Sequence, residues 1–163
     1  MTAALVPNWL EWLENTPWAL TIRQSFWLFP ALEIVHITGL TILVGAAFMF
    51  DLRLLGFSRN LPIMDLAQHL LSWSKRGLIL VLPSGILLFM TNATAIGPDP
   101  TFWIKMLLLA CAGLNALVFH RFTRKAPHGW DQEQRIPWQA RVAAIFSIGA
   151  WIAIIACGRL LAY

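Results

Sequence analysis

The stretch FWLFPALEIVHITGLTILVGAAFMF, from Phe26 to Phe50, decides the fold. Its only ionisable side chains are Glu33 and His36, and it exceeds the roughly 20 residues that a helix needs to cross a bilayer. Three more runs read the same way. The spans expected are about 26–50, 72–95, 101–121 and 139–160. The second is uncharged from Gly77 to Pro98, and the turn chemistry of Gly97-Pro98-Asp99-Pro100 closes it. The third is broken only by Lys105 near its start, and the fourth lies between Arg141 and Arg159. Backbone groups in lipid must find partners within their own segment, so all four are expected to be helices. The expectation is an all-α integral membrane four-helix bundle, residues 26–163, preceded by an interfacial amphipathic segment, residues 1–25.

Composition supports this reading. Of 163 residues, 58% are hydrophobic and 12% are charged, whereas a soluble domain carries about a quarter charged. A soluble core of this size could not hide so much apolar surface. Disorder is excluded by the same figures, and a disulfide scaffold by the presence of only two cysteines. Cys111 and Cys157 both sit in apolar runs, where a reduced thiol acts as a small hydrophobe.

The cations set an orientation. Arg53, Arg59, Lys75 and Arg76 flank the first connection, and Arg121, Arg124, Lys125, Arg135 and Arg141 flank the third. Only Arg23, Lys105 and Arg159 of the twelve fall on the other side. The crowded side is expected to be cytoplasmic, which places both termini on the outer face. The net charge of +4 is then topological: its partners are anionic lipid headgroups, not nucleic acid.

Residues 1–25 lack the pattern of a cleaved signal peptide, since the first charges are Glu11 and Glu14. Leu5, Trp9, Trp12 and Leu13 share one helical face, and Thr16-Pro17 reads as an N-cap with a first-turn proline. With Trp18 and Trp27, the segment is expected to lie along the outer interface. Trp73, Trp103 and Trp138 near span ends fit an aromatic belt.

Ionisable groups inside a span cost about 2.5–3.5 kcal/mol on insertion scales. Glu33 and His36 are three residues apart and share a helix face. His36 lies roughly 22 Å above Asp51 by helical rise, within the outer half, where Lys105 and Arg159 also fall. Two readings stand. In one, the cations reach the outer headgroups while Glu33 and His36 hydrogen-bond each other. In the other, Glu33, His36, Lys105 and Arg159 form a cofactor pocket with His36 as metal ligand and the cations holding carboxylates.

His120 adjoins Arg121 at the inner edge, with Ala116, Gly113 and Ala112 on its face. It is either an interfacial histidine or a second metal ligand. Asn115, within the same span, must find a partner. His69, ahead of the second span with Trp73 and Arg76 following, reads as a solvated residue on an amphipathic lead-in, with an inner pair of His69 and His120 gripping one iron as the alternative, and His128 reads as a loop residue. Two axial imidazoles place their nitrogens about 4 Å apart. His36 and His120 differ in depth by roughly 20 Å, so they cannot share one iron within a subunit. Asp51-Leu52-Arg53 reads as capping at the inner interface. Walker, dinucleotide, CxxC, HExxH and nucleophile-elbow motifs are absent.

Residues 9–163 resemble an uncharacterised family of small four-helix bacterial membrane proteins. The resemblance rests on Leu10-Glu11-Trp12-Leu13, Glu33-x-x-His36, Asp51-Leu52-Arg53-Leu54-Leu55-Gly56, Asn115-Ala116-Leu117-Val118-Phe119-His120 and Gly158-Arg159-Leu160. More distantly, the chain is similar to the membrane protoporphyrinogen oxidase of bacterial haem synthesis and to copper-resistance D-type proteins. His36 with Arg53, and Lys105 with His120, are the matching positions. His69 lies outside that pattern, and the aromatic-rich glycine stretch of the oxidases is only loosely present through Gly39 and Gly45.

The resemblance implies a haem-b or tetrapyrrole protein, passing electrons to a redox partner or handling the macrocycle. Copper handling is the alternative, although Met1, Met49, Met64, Met90 and Met106 are scattered and form no relay. A non-catalytic assembly subunit is the third reading, with Ala112-x-x-x-Ala116 as an oligomerisation ridge.

Overall fold

A computed structural model describes residues 8–58, 60, 62–125 and 136–161, with the backbone alone described at 64, 120 and 122–125. The helices are α1 (Asn8–Glu14), α2 (Pro17–Gln24), α3 (Leu28–Leu55), α4 (Ile63–Thr91), α5 (Ala93–Ile96), α6 (Pro100–Lys125) and α7 (Trp138–Leu160). No strand occurs among the described residues. Four helices are long and apolar enough to cross a membrane: Leu28–Leu55, Asp65–Thr91, Pro100–Phe119 and Trp138–Leu160. The protein is an all-α, multi-pass membrane protein.

The helices outrun the expected spans because a helix satisfies its backbone in water as well as in lipid. α3 continues through Asp51 to Leu55 and stops where Gly56 turns left-handed (φ 106°). The Gly56 and Phe57 amides there return to the carbonyls of Arg53 and Leu52, at 3.1 and 3.0 Å. That backbone conformation carries no steric cost only in glycine. α4 begins at Ile63 rather than near 72, because the amphipathic lead-in joins the span without a break. It ends at Thr91, short of 95, where Asn92 (φ −136°) leaves the helical region and α5 starts.

The tightest helix pair is α3 with α4. A Cβ on Gly77 would lie 2.7 Å from the Leu43 backbone nitrogen and 2.8 Å from the Gly39 carbonyl oxygen. One on Gly39 would lie 2.7 Å from Leu80 Cβ. The two backbones therefore touch, as small residues allow in membranes, where dispersion replaces the hydrophobic effect as the force between helices. α7 packs against both α3 and α6. Towards the 56–62 connection, Leu54 is buried against Ala140 and Ala144, with Phe50 and Phe119 edge-on at 5.5 Å. Further along, Ala112 meets Ala150 and Ile154, and the Asn115 side-chain amide donates to the Ala143 carbonyl at 3.1 Å, the partner its burial requires. α4 meets α6 through the stacked rings of Phe89 and Phe102, 4.8 Å apart.

The amphipathic segment has two faces. Inwardly it caps the bundle: Leu10 (1% exposed) fills the space over Gly97, and Ala19 and Ile22 are buried. Thr16 caps α2 as the Thr-Pro pair indicates, accepting from the Ala19 amide. Outwardly, Trp9, Trp12, Trp18, Phe26 and Trp27 are exposed, a set of rings suited to a lipid interface. Glu14 clasps the segment to the bundle. One carboxylate oxygen takes the Thr94 amide (2.9 Å) and hydroxyl, and the other takes Arg23 at 2.7 Å. The Thr94 hydroxyl, then the Thr94 amide and the Arg23 charge, hold the Glu14 carboxyl below its ordinary range against an opposing effect of burial.

Candidate functional site

Near the capped end, all four long helices contribute to one polar cluster. His36 stands about 12 Å into α3 by helical rise, half-buried, with its ring turned to α4. It meets Pro83-Ser84-Gly85. Pro83 lies inside α4 and brings no amide hydrogen to the helix ladder. Ser84 (2% exposed) turns its hydroxyl back on its own helix and donates to the Leu80 carbonyl, four residues earlier. Gly85 provides the room, since a Cβ there would lie 3.0 Å from His36 Cε1.

These contacts fix the tautomer. His36 Nδ1 is 3.0 Å from Ser84 Oγ. Because the serine proton is committed to Leu80, Nδ1 carries the hydrogen and Ser84 Oγ accepts it. The Val81 backbone carbonyl is a further acceptor for the ring N–H, and in this tautomer Nε2 keeps its lone pair, the state in which imidazole binds a metal. A histidine whose second nitrogen is held by a hydrogen bond is the usual arrangement around metal sites.

Lys105, half-buried on α6, is close enough for its charge to act on His36. Its Nζ lies over α7, 3.7 Å from where a Cβ on Gly158 would stand, and its charge reaches Cys157. Arg159, in the last turn of α7, is at the same end and exposed.

Of the expected residues, Lys105 stands within range for its charge to act on His36, and Arg159 lies in the last turn of α7 at the same end. Glu33 is exposed on α3, and the hydrogen bond of His36 goes to Ser84 rather than to Glu33. The side chain of His120 and all of His128 lie outside the described residues. The backbone of His120 is in α6 at the opposite end from Lys105, about 22 Å away by helical rise. His69 Nε2 accepts from the Trp73 indole N–H at 3.2 Å, with Arg76 stacked 4.8 Å over the same indole. That occupies the lone pair of His69 in an interfacial anchor. Ser84 and Gly85 were not singled out from sequence. A proline-serine-glycine run inside a span was the available signal, since such residues persist there only where something re-satisfies the backbone.

No group of three or more His, Cys, Asp or Glu side chains converges among the described residues. The site offers one imidazole nitrogen and cations, not a closed cage of protein ligands.

Fold and site together define a small four-helix membrane protein with a histidine- and lysine-bearing cluster near one end. Residues 20–163 match DUF6644, a family of unknown function, and the chain belongs to that family. No curated protein and no solved structure matches it.

Proposed function

We propose that this is a b-type haem- or tetrapyrrole-binding protein of the bacterial inner membrane, with both termini outside, serving electron transfer or tetrapyrrole handling. The observation that carries the reading is the His36–Ser84–Leu80 chain, which leaves Nε2 of His36 as a lone-pair donor within a span. His36 would hold the iron of such a group through one imidazole nitrogen. Lys105 supplies a cation for a propionate, a charge-assisted pair worth about 1.5–3 kcal/mol, and Arg159 is a second cation at that end. Haem iron held by imidazole would supply one-electron chemistry. The chain itself orients the ring through Ser84 and leaves space for it at Gly85. The distant resemblance to the protoporphyrinogen oxidases adds support, with His36 and Lys105 at matching positions.

Copper handling is less well supported, because the five methionines are scattered along the sequence and no group of three or more His, Cys, Asp or Glu forms among the described residues. An absorption spectrum of the detergent-purified protein is the test. A Soret band that disappears in His36→Ala is the expected result. No band after haem reconstitution, or a band unaffected by His36→Ala, overturns the assignment. Stoichiometric copper without haem would move the protein to the copper reading.

A further inference from the structure

Asp51 is the most deeply buried acid of the described residues, 6% exposed, and its Oδ2 has no hydrogen-bond partner. It lies on α3 at the end opposite to His36. The Ser147 hydroxyl on α7 hydrogen-bonds the carboxyl. One turn along α3, Leu54 is sealed against Ala140 and Ala144. Among the described residues, no cation completes the shell. Arg121 on α6 and Arg141 on α7 are exposed, as are Asp65 and His69 on α4, and Arg53, two residues along α3, leaves Oδ2 unbonded. Lys75 and Arg76 adjoin Gly77, which packs on Gly39 and Leu43, about two turns or more from Asp51. His120 follows Phe119 on α6 at the same end.

We propose that Asp51 is a proton-binding site: its carboxyl is held as the neutral acid between α3 and α7 and exchanges its proton with water at the basic end of the bundle. An ionised carboxylate needs every lone pair met when it leaves water. Left unpaired it costs far more than a neutral acid with one idle O–H, so the group takes up a proton instead. Ser147 donates one hydrogen bond, which cannot balance a full negative charge in apolar surroundings. On release, the O–H bond breaks, the proton passes to water, and the carboxylate keeps the electron pair. Re-protonation follows the same path in reverse. Capping of the helix end, the reading the sequence offered, does not require burial. An intramembrane acid that is buried and half-bonded is what a proton relay uses.

The test is carbodiimide labelling of the full chain in lipid nanodiscs. Dicyclohexylcarbodiimide reaches carboxyls through the apolar phase and adds to the protonated acid, not to the carboxylate. The adduct, mapped by mass spectrometry, is expected at Asp51 in preference to the exposed Glu11 and Asp65. It should be lost as the pH is raised. Asp51→Asn, a neutral isostere, should melt with the wild type near neutral pH. An unlabelled Asp51 across the pH range, or an Asp51→Asn protein that unfolds where the wild type is stable, overturns the proposal. Neither readout depends on haem.

Discussion

Nδ1 of His36 on α3 meets Ser84 Oγ on α4 across 3.0 Å, and the serine hydroxyl donates its own hydrogen bond to the Leu80 carbonyl of its helix. A histidine inside a span is thereby tied to the one place in α4 where a proline interrupts the amide ladder. The relationship sets which nitrogen is free and where it points. It also makes the α3–α4 contact, closest at Gly39 and Gly77, the support on which the cluster rests.

Ser84→Ala removes the acceptor for Nδ1 and leaves the ligating nitrogen in place. Outer hydrogen-bond partners of metal-bound histidines are worth about 10–100-fold in affinity. Haem titration of Ser84→Ala is expected to show weakening in that range with the Soret band retained, whereas His36→Ala abolishes the band. Equal affinity in Ser84→Ala and wild type would separate the serine from cofactor binding.

Lys105→Met tests the carboxylate-holding role. Losing a charge-assisted pair weakens binding by on the order of tenfold or more. The same substitution should leave the affinity for haem dimethyl ester unchanged, because the ester offers no charge to hold. If both ligands weaken alike, Lys105 shapes the cluster rather than pairing with propionate.

Glu14 predicts an acid-sensitive cap. Its carboxyl is held below the ordinary range, chiefly by the Thr94 hydroxyl. For a depressed acid, the stabilisation is present above the unfolded-state pKa and is lost as pH falls through the folded one. α1 and α2 should therefore stay docked at neutral pH and loosen in acid. Hydrogen exchange across residues 8–24 is the measurement. Glu14→Gln should show fast exchange at neutral pH and little further change on acidification.

The four spans were legible in the sequence because lipid leaves a helix as the only choice for an uninterrupted apolar run. Asn115 was legible as an amide needing a partner, and Ala143 provides it. Helix rotation was not legible. α3 is apolar around most of its circumference, so nothing in its pattern says which side faces α4. Glu33 and His36 sit three residues apart and within reach of each other, yet the rotation that turns His36 to Ser84 leaves Glu33 exposed. Asp51 escaped for the same reason: next to Arg53 it looked like an interfacial charge, and only the approach of α7 buries it. The Glu14–Thr94 clasp joins residues 80 positions apart, a separation over which single-sequence periodicity carries no information.

The closeness of α3 and α4 gives a prediction independent of any cofactor. At Gly77, an added methyl would stand 2.7 Å from the Leu43 nitrogen and 2.8 Å from the Gly39 oxygen, both backbone atoms that cannot rotate away. Gly77→Ala must push the helices apart. Overpacking of this kind costs about 1–3 kcal/mol, and the shift also draws Ser84 away from His36. Gly45 lies on the same α3 with nothing within 4 Å of a would-be Cβ. There alanine meets no neighbour and has the higher helix propensity, so Gly45→Ala should be neutral or slightly stabilising. Thermal unfolding of both variants in one detergent reads the difference directly. A Gly77→Ala protein as stable as Gly45→Ala would mean that α3 and α4 do not meet at Gly39 and Gly77, and the placement of Ser84 beneath His36 would fall with that contact.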